Sequence, residues 1–106
     1  MTLSVISDWS FTPKFMGNDE MVIHLHQLNG IDELKLGIGE KRDPIAFLEE
    51  IVRKIENPIK LDFGKGTPRN LRIKDIAEIG ALKDLYFEIL VEYGSHTQLS
   101  EEVSKN

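Results

Sequence analysis

Two histidines spaced two residues apart are the side chains whose type and spacing come nearest to a metal site. His24 and His26 lie within residues 21–28, whose β-branched and apolar residues predict a strand. Positions i and i+2 of a strand face the same side of a sheet, so the two imidazoles could share a zinc ion. A zinc site needs a further ligand, and His96 is the only other histidine. We therefore expect polar residues on a half-exposed strand, with no metal and no cofactor.

Two glycine-containing segments have a superficial likeness to nucleotide-binding loops. Residues 64–67, Gly-Lys-Gly-Thr, lack both the earlier glycine and the Gly-Lys-Ser/Thr ending of a phosphate-binding loop. Residues 37–39, Gly-Ile-Gly, lack the third glycine of a dinucleotide fingerprint. We interpret both segments as turns. The chain also has no cysteine, which removes thiolate nucleophiles, disulfides and cysteine zinc sites together.

Basic residues are concentrated in one segment of an otherwise acidic chain. The net charge is −5, which argues against nonspecific DNA binding by the whole surface. Residues 60–74 nevertheless contain five bases and one acid, and a candidate basic patch within them could contact phosphates. Its members are Lys65, Arg69, Arg72 and Lys74. Because Phe63 is the only aromatic residue there for base stacking, we favour a solvated loop or a contact with an acidic protein surface.

Three carboxylates near the end of the chain are spaced one helical turn apart. Asp84, Glu88 and Glu92 occupy positions i, i+4 and i+8, where like charges repel by a few tenths of a kcal/mol per pair. A solvated helix face is the ordinary interpretation, and an acidic docking strip is the functional one. Acid–base catalysis would need a cleft and shifted pKa values, which nothing in the sequence indicates, so we expect no enzyme.

Aromatic residues are dense at the start of the chain. Trp9, Phe11 and Phe15 are three of the eight aromatic residues. They could belong to the core, or they could form an N-terminal arm, residues 1–16, that anchors in a neighbouring protein. We expect Trp9 to pack in the core and Phe15 to contact a partner.

Strands and one helix are predicted around these residues. The alternating aromatic and polar residues at the start predict a short edge strand that Pro13 ends. Asn29 and Gly30 predict a turn that closes a hairpin between residues 21–28 and 32–38. Asp43 and Pro44 predict the beginning of a helix, whose apolar face continues to Ile55 before Asn-Pro stops it at residues 57–58. Residues 59–63 alternate and predict another short strand.

A second helix is predicted over residues 73–93, with Gly94 as its C-terminal cap. Its apolar residues cover more than half of the helix circumference, which is wider than a surface helix needs. This width predicts two apolar neighbours, one within the domain and one from another chain. The candidate contact residues on this helix are Leu82, Leu85 and Ile89, together with the acidic row.

The predicted architecture is a single α+β domain, residues 1–106, with a flexible C-terminal tail at residues 95–106. It contains a small, mostly antiparallel sheet of three to four strands with two helices packed on one face. The first nine residues lack the pattern of a signal peptide, and no apolar run reaches the roughly 20 residues that span a bilayer. We therefore expect a cytoplasmic protein that has no membrane partner.

Both ends of the chain resemble a group of small proteins from the structural-gene regions of tailed phages and prophages. The likeness lies in residues 9–18, Trp-Ser-Phe-Thr-Pro-Lys-Phe-Met-Gly-Asn, in residues 84–94 and in residues 99–102. In that group an aromatic-rich strand and a Gly-Asn turn precede a β-strand, and an Asp-Leu-Tyr-x-Glu-Ile-Leu-like helix lies near the end. Residues 30–66 carry no likeness. Gly17-Asn18 is followed by Asp19-Glu20, where the group usually has Arg-Asp.

The resemblance implies a virion morphogenesis protein that acts by protein–protein contact. Members of the group are tail assembly chaperones or minor head–tail components, so the implied location is the bacterial cytoplasm or the virion. The implied partners are other phage structural proteins, and self-association is the other partner we expect. No site residue is implied by the resemblance. The alternative function is a nucleic-acid-associated regulator that uses residues 60–74.

Overall fold

The computed structural model of the protein describes residues 6–32 and 43–97 and has an α+β architecture. A three-stranded antiparallel sheet has the order β1–β2–β3, and two further strands, β4 and β5, form a separate antiparallel ribbon. The strands are β1 (Asp8–Phe11), β2 (Val22–His26), β3 (Val52–Glu56), β4 (Lys60–Leu61) and β5 (Arg69–Asn70). The helices are α1 (Pro44–Ile51), α2 (Ile73–Glu78) and α3 (Lys83–Thr97). The predicted fold class is confirmed.

The central strand β2 has one side that faces the core and one polar side. Its residues alternate, so that Ile23 and Leu25 are buried while His24 and His26 lie on the opposite face. The helices cover the apolar face with buried side chains from α1 and α3. The largest of these are Phe47, Leu48, Ile51, Leu85, Ile89 and Tyr93. No helix in the described part of the chain is long and apolar enough to cross a membrane.

The first predicted helix is correct at its beginning and wrong at its end. The Asp43 side chain accepts hydrogen bonds from the backbone N–H groups of Ile45 and Ala46, which caps α1 as expected. The helix ends at Ile51, and the residues after it form β3. Val52 and Ile55 still face the core although they are three residues apart, because a bulge in β3 inserts one extra residue opposite β2. Because of the bulge, the two core-facing residues are spaced as they would be on one face of a helix.

The second predicted helix is broken into two. The backbone of Ile79 is extended, with φ −97° and ψ 116°, and a 3-10 turn at Gly80–Leu82 leads into α3. Buried residues of both α2 and α3 belong to the same core. Packing within one chain therefore accounts for much of the wide apolar arc that was predicted for a single helix. Helix α3 also continues through Gly94, so the predicted cap at that residue is wrong.

The predicted hairpin after β2 is not formed in the described residues. Residues 30–32 are helical, and the Asn29 side chain accepts a hydrogen bond from the N–H of Asp32 at 2.8 Å. Asparagine therefore caps a helical turn here and does not form a hairpin turn. Residues 33–38 of the predicted strand lie outside the described residues, as do residues 98–106 of the predicted tail.

The residues predicted as an N-terminal arm belong to the domain from β1 onward. Trp9 and Phe11 pack against the core, and Phe15 is buried. The prediction that Phe15 contacts a partner is therefore wrong. A tight turn directs its ring inward: Gly17 has a φ of +73°, and the Asn18 side chain accepts the Met21 N–H at 2.9 Å and donates to the Pro13 carbonyl.

We predict that truncating a buried and an exposed apolar residue of α3 has different effects on stability. Leu85→Ala should lower the free energy of unfolding by about 2–5 kcal/mol, because it opens a cavity in the core. Val91→Ala on the same helix should change it by less than about 0.5 kcal/mol, since that side chain is exposed. Urea unfolding of both variants measures the difference. Equal losses would contradict the described burial.

Candidate functional site

Helix α3 lies alongside the outer strand β1 and is held there by contacts at both ends. The ring of Trp9 stacks on His96 with centroids 3.6 Å apart and on Tyr93 at 6.2 Å. The His96 imidazole donates from Nε2 to the carbonyl of Ile6 at 3.1 Å. At the other end, the backbone N–H of Lys14 donates to Glu88 Oε2 at 2.7 Å. These contacts fix the distance between strand and helix.

Around the Lys14–Glu88 contact, the end of β1 and the residues after it border α3 across an open groove of roughly 580 Å³, which we call the edge groove. From the β1 side it is lined by Phe11, Thr12 and Lys14, and from α3 by Asp84, Phe87, Glu88, Val91 and Glu92. Phe87 is 57% exposed and Val91 is 66% exposed. Two apolar side chains one turn apart are therefore available on the helix surface for another molecule.

The acidic row forms one wall of the edge groove. Asp84 lies in the first turn of α3, where the helix dipole favours negative charge, and Glu88 accepts the Lys14 N–H. The helix dipole at Asp84 and the hydrogen bond at Glu88 offset the repulsion between carboxylates that is expected from the one-turn spacing. Lys14 is the only base among the lining residues, so three carboxylates outnumber it and the groove is negative. Asp84, Glu88 and Glu92 thus share one side of α3, and the docking role of this acidic strip stays a prediction.

Three residues expected to contact a partner are buried in the chain's own core. Leu82 is 4% exposed, and Leu85 and Ile89 are fully buried. They belong to the same core cluster as Ile23 and Leu25 of β2. The prediction that they form an interface is therefore wrong. Phe87 and Val91 occupy the exposed side of the same helix.

The two histidines of β2 are each paired with a carboxylate on the polar face of the sheet. His24 Nε2 lies 2.9 Å from Glu56 Oε1, and His26 Nδ1 lies 2.9 Å from Asp8 Oδ1. The hydrogen bond with His24 lowers the pKa of Glu56. Within residues 6–32 and 43–97, no cluster of three or more histidine or carboxylate side chains has metal-binding geometry. The pairs are cross-strand contacts of the kind that support a sheet.

The basic segment is divided between structural and exposed side chains. Arg69 makes a two-pronged ion pair with Asp75 at 2.7 and 2.9 Å, and its guanidinium lies 5.0 Å from the centre of the Phe63 ring. Asp75 also accepts the Arg72 N–H at 2.8 Å and so caps α2. Arg69 is thus used within the domain, which reduces the patch predicted for phosphate binding. Lys65, Arg72 and Lys74 remain exposed.

We predict that the ion pair of Asp75 makes stability depend on acid. The Arg69 hydrogen bonds lower the pKa of this buried carboxyl from 3.8 to about 2. The stabilisation is fully present above pH 3.8 and is lost as the pH falls towards 2, because the unfolded state binds the proton in this range and the folded state binds it only near pH 2. Asp75→Asn should cost about 2 kcal/mol at pH 7 and should remove this pH dependence. The exposed Asp19→Asn is the control.

Acid titrations of unfolding free energy for the wild type and both variants provide the measurement. If Asp75→Asn retained the wild-type slope between pH 4 and pH 2, the ion pair would not be the source of the acid sensitivity.

Sequence patterns located one wall of the edge groove and missed its apolar floor. Phe87 and Val91 were counted within the wide apolar arc of a single long helix, so their exposure could not be separated from the burial of Leu85 and Ile89. The sequence does hold one sign that Phe87 and Val91 are exposed: each immediately precedes a glutamate, Glu88 or Glu92. The strand edge beside them required knowledge of the strand order.

No protein-family model, curated protein sequence or solved structure gives a match to this chain. The resemblance to phage proteins therefore rests on the quoted residues alone.

Proposed function

We propose that the protein acts by binding another protein chain in the edge groove. The observation that carries the proposal is the exposure of Phe87 and Val91 beside an acidic wall and an outer strand. Exposed apolar side chains that are contiguous and bordered by polar groups are typical of protein contact sites. Aromatic residues also contribute a large share of binding energy at such sites.

The groove is a better candidate than the depression beside the basic segment. That second depression, of roughly 500 Å³, is lined by Glu49, Ile55, Leu71, Arg72, Ile73 and Lys74. Leu71 is 4% exposed and Ile55 and Ile73 are half-buried, so its apolar residues already serve the core. Arg69 is also committed to Asp75 nearby. The nucleic-acid-associated regulator consequently has less support than the protein-binding function.

The setting that we propose is virion morphogenesis in a tailed phage or prophage, most specifically tail assembly. Its support is the resemblance of residues 9–18 and 84–94 to phage structural-region proteins. These two segments contribute every residue that lines the edge groove. The partner would then be another phage structural protein, met in the bacterial cytoplasm or in the virion. The proposal requires contact and no catalysis.

We predict that a photocrosslinker placed at Phe87 captures the partner. Phe63 offers a matched control position, because it is also 57% exposed but lies far from the groove in sequence, next to the β4–β5 ribbon. Each phenylalanine would be replaced by p-benzoylphenylalanine in cells of the natural host, and crosslinked products would be identified by mass spectrometry. Position 87 should give a defined product that position 63 does not give.

The product's identity tests the two parts of the proposal separately. A tail or head–tail protein supports the morphogenesis setting, whereas a protein of another process contradicts that setting and leaves the contact intact. Equal crosslinking at both positions, or none at position 87, would contradict the edge groove as the contact site.

A further inference from the structure

The open side of β1 and the acidic wall of α3 together indicate what occupies the edge groove. We infer that the groove binds an extended, basic segment of another protein, which adds to the sheet as a strand beside β1. This inference rests on the proposed function, because it specifies the chemistry of the partner for the same groove. Strand addition of this kind supplies affinity through backbone hydrogen bonds and specificity through alternate side chains.

The backbone of β1 offers unpaired hydrogen-bonding groups on its outer side. Gln27 N–H donates to the Ser7 carbonyl at 2.8 Å, so Ser7 directs its backbone towards β2. Backbone direction alternates along an antiparallel pair. Trp9 and Phe11 therefore also face β2, opposite Leu25 and Ile23.

Asp8 and Ser10 direct their N–H and C=O groups towards the open side by the same alternation. The carbonyl of Ile6 agrees with this alternation, because it points away from β2 and accepts a hydrogen bond from His96 of α3. Among the described residues, the outward backbone groups of Asp8 and Ser10 have no protein partner. Within residues 6–32 and 43–97, two donors and two acceptors are thus available to a strand that continues from the edge groove, whose lining on this side begins at Phe11.

Helix α3 limits the length of the strand that can pair. It bonds to the carbonyl of Ile6 at one end and to the N–H of Lys14 at the other, so an added strand can pair with the backbone only between these two residues. Within that span β1 is four residues long, so the segment that pairs with it is about four residues long as well. Ordered edges this short pair weakly without side-chain contacts, so the partner's side chains must add to the affinity.

The side chains of an added strand would alternate between the polar face and the edge groove. Those that point towards α3 would meet Phe87 and Val91 and, one stripe further around the helix, the acidic row. A segment that alternates apolar and basic side chains on that face would place apolar groups on Phe87 and Val91 and positive charges beside the acidic row. Lysine and arginine fit because their long stems cover apolar surface while the charge reaches a carboxylate.

Charge also excludes two other occupants. A second copy of this chain, paired groove to groove, would bring Asp84, Glu88 and Glu92 against the same three carboxylates, which repel each other. Nucleic acid would bring phosphates against the same wall. A basic protein segment is the occupant whose charge complements the groove.

The test uses a synthetic nine-residue peptide, Lys-Thr-Val-Thr-Lys-Thr-Val-Thr-Lys, labelled with a fluorophore, and the full chain. Fluorescence anisotropy should show saturable binding that weakens with added salt. A peptide with glutamate in place of each lysine should bind at least about tenfold more weakly, because it meets like charges. Asp84→Lys combined with Glu92→Lys should reverse the preference between the two peptides. Equal binding of both peptides to the wild type would overturn the charge assignment.

A proline substitution on the outer side of β1 tests the strand pairing. Ser10→Pro removes one outward N–H and leaves the hydrogen bonds to β2 in place, since Ser10 does not donate to β2. Peptide affinity should fall about tenfold, the loss expected for one hydrogen bond of this kind. Ser10→Ala retains the N–H and should bind as the wild type does. Equal affinity of Ser10→Pro and the wild type would overturn strand addition.

Two modified peptides keep the test decisive even if Ser10→Pro does not fold. One carries N-methyl groups at its odd positions and the other at its even positions, so each blocks one side of the peptide backbone. Strand addition requires only one side, so one peptide should lose about tenfold in affinity and the other should retain it. Equal affinities of the two would overturn strand pairing.

The result at Phe87 separates this inference from the function on which it rests. If the Phe87 crosslink forms in cells while no basic peptide binds, the groove is a contact site and the inference about its occupant is wrong. A crosslinked dimer of this chain at position 87 would likewise replace the basic segment with a second copy. If neither crosslink nor peptide binding occurs, both the function and the inference are wrong.

Discussion

The packing of Tyr93 against three other elements determines where α3 lies, and the rest of the surface follows from that position. Its hydroxyl accepts the backbone N–H of Leu28 at 3.1 Å, just beyond the end of β2. Its ring meets Phe47 of α1 edge-on at 5.4 Å and stacks near Trp9 of β1. The side chain is 6% exposed, so its hydroxyl needs this hydrogen bond. One buried tyrosine thus ties the helix to the sheet and to α1.

Fixing α3 in this way divides its apolar residues between two roles. Leu85, Ile89 and Tyr93 are spaced one turn apart and fill the core. Phe87 and Val91 lie on another side and remain in solvent, which a domain stabilised by its own core alone does not require. The carboxylates beside them keep that surface charged, and charge at an exposed edge opposes aggregation. The same arrangement that protects the edge also makes it selective for a basic partner.

The sequence predicted β1, β2, β4 and the beginning of α1, and it missed β3, β5 and the division between α2 and α3, for reasons that specific residues show. Asp43 and Pro44 identified the beginning of α1 because capping is a local interaction. The change from α1 to β3 was missed, since Val52 and Ile55 keep helical spacing only through a bulge that depends on β2. The break at Ile79 was missed because Gly80 alone does not distinguish a helix interruption from a tolerated glycine. The acidic wall of the groove was predictable from spacing, whereas the open edge of β1 depends on strand order.

Pairing of a partner strand with the outer backbone of β1 can be measured by amide hydrogen exchange at Asp8 and Ser10. In the free chain these outward amides should exchange rapidly, while the inward amides of Trp9 and Phe11 should be protected. Saturating basic peptide should slow exchange at one or both outward amides and leave residues 60–74 unchanged. Slow exchange of Asp8 and Ser10 already in the free chain, or protection by the peptide only within residues 60–74, would contradict strand pairing at β1.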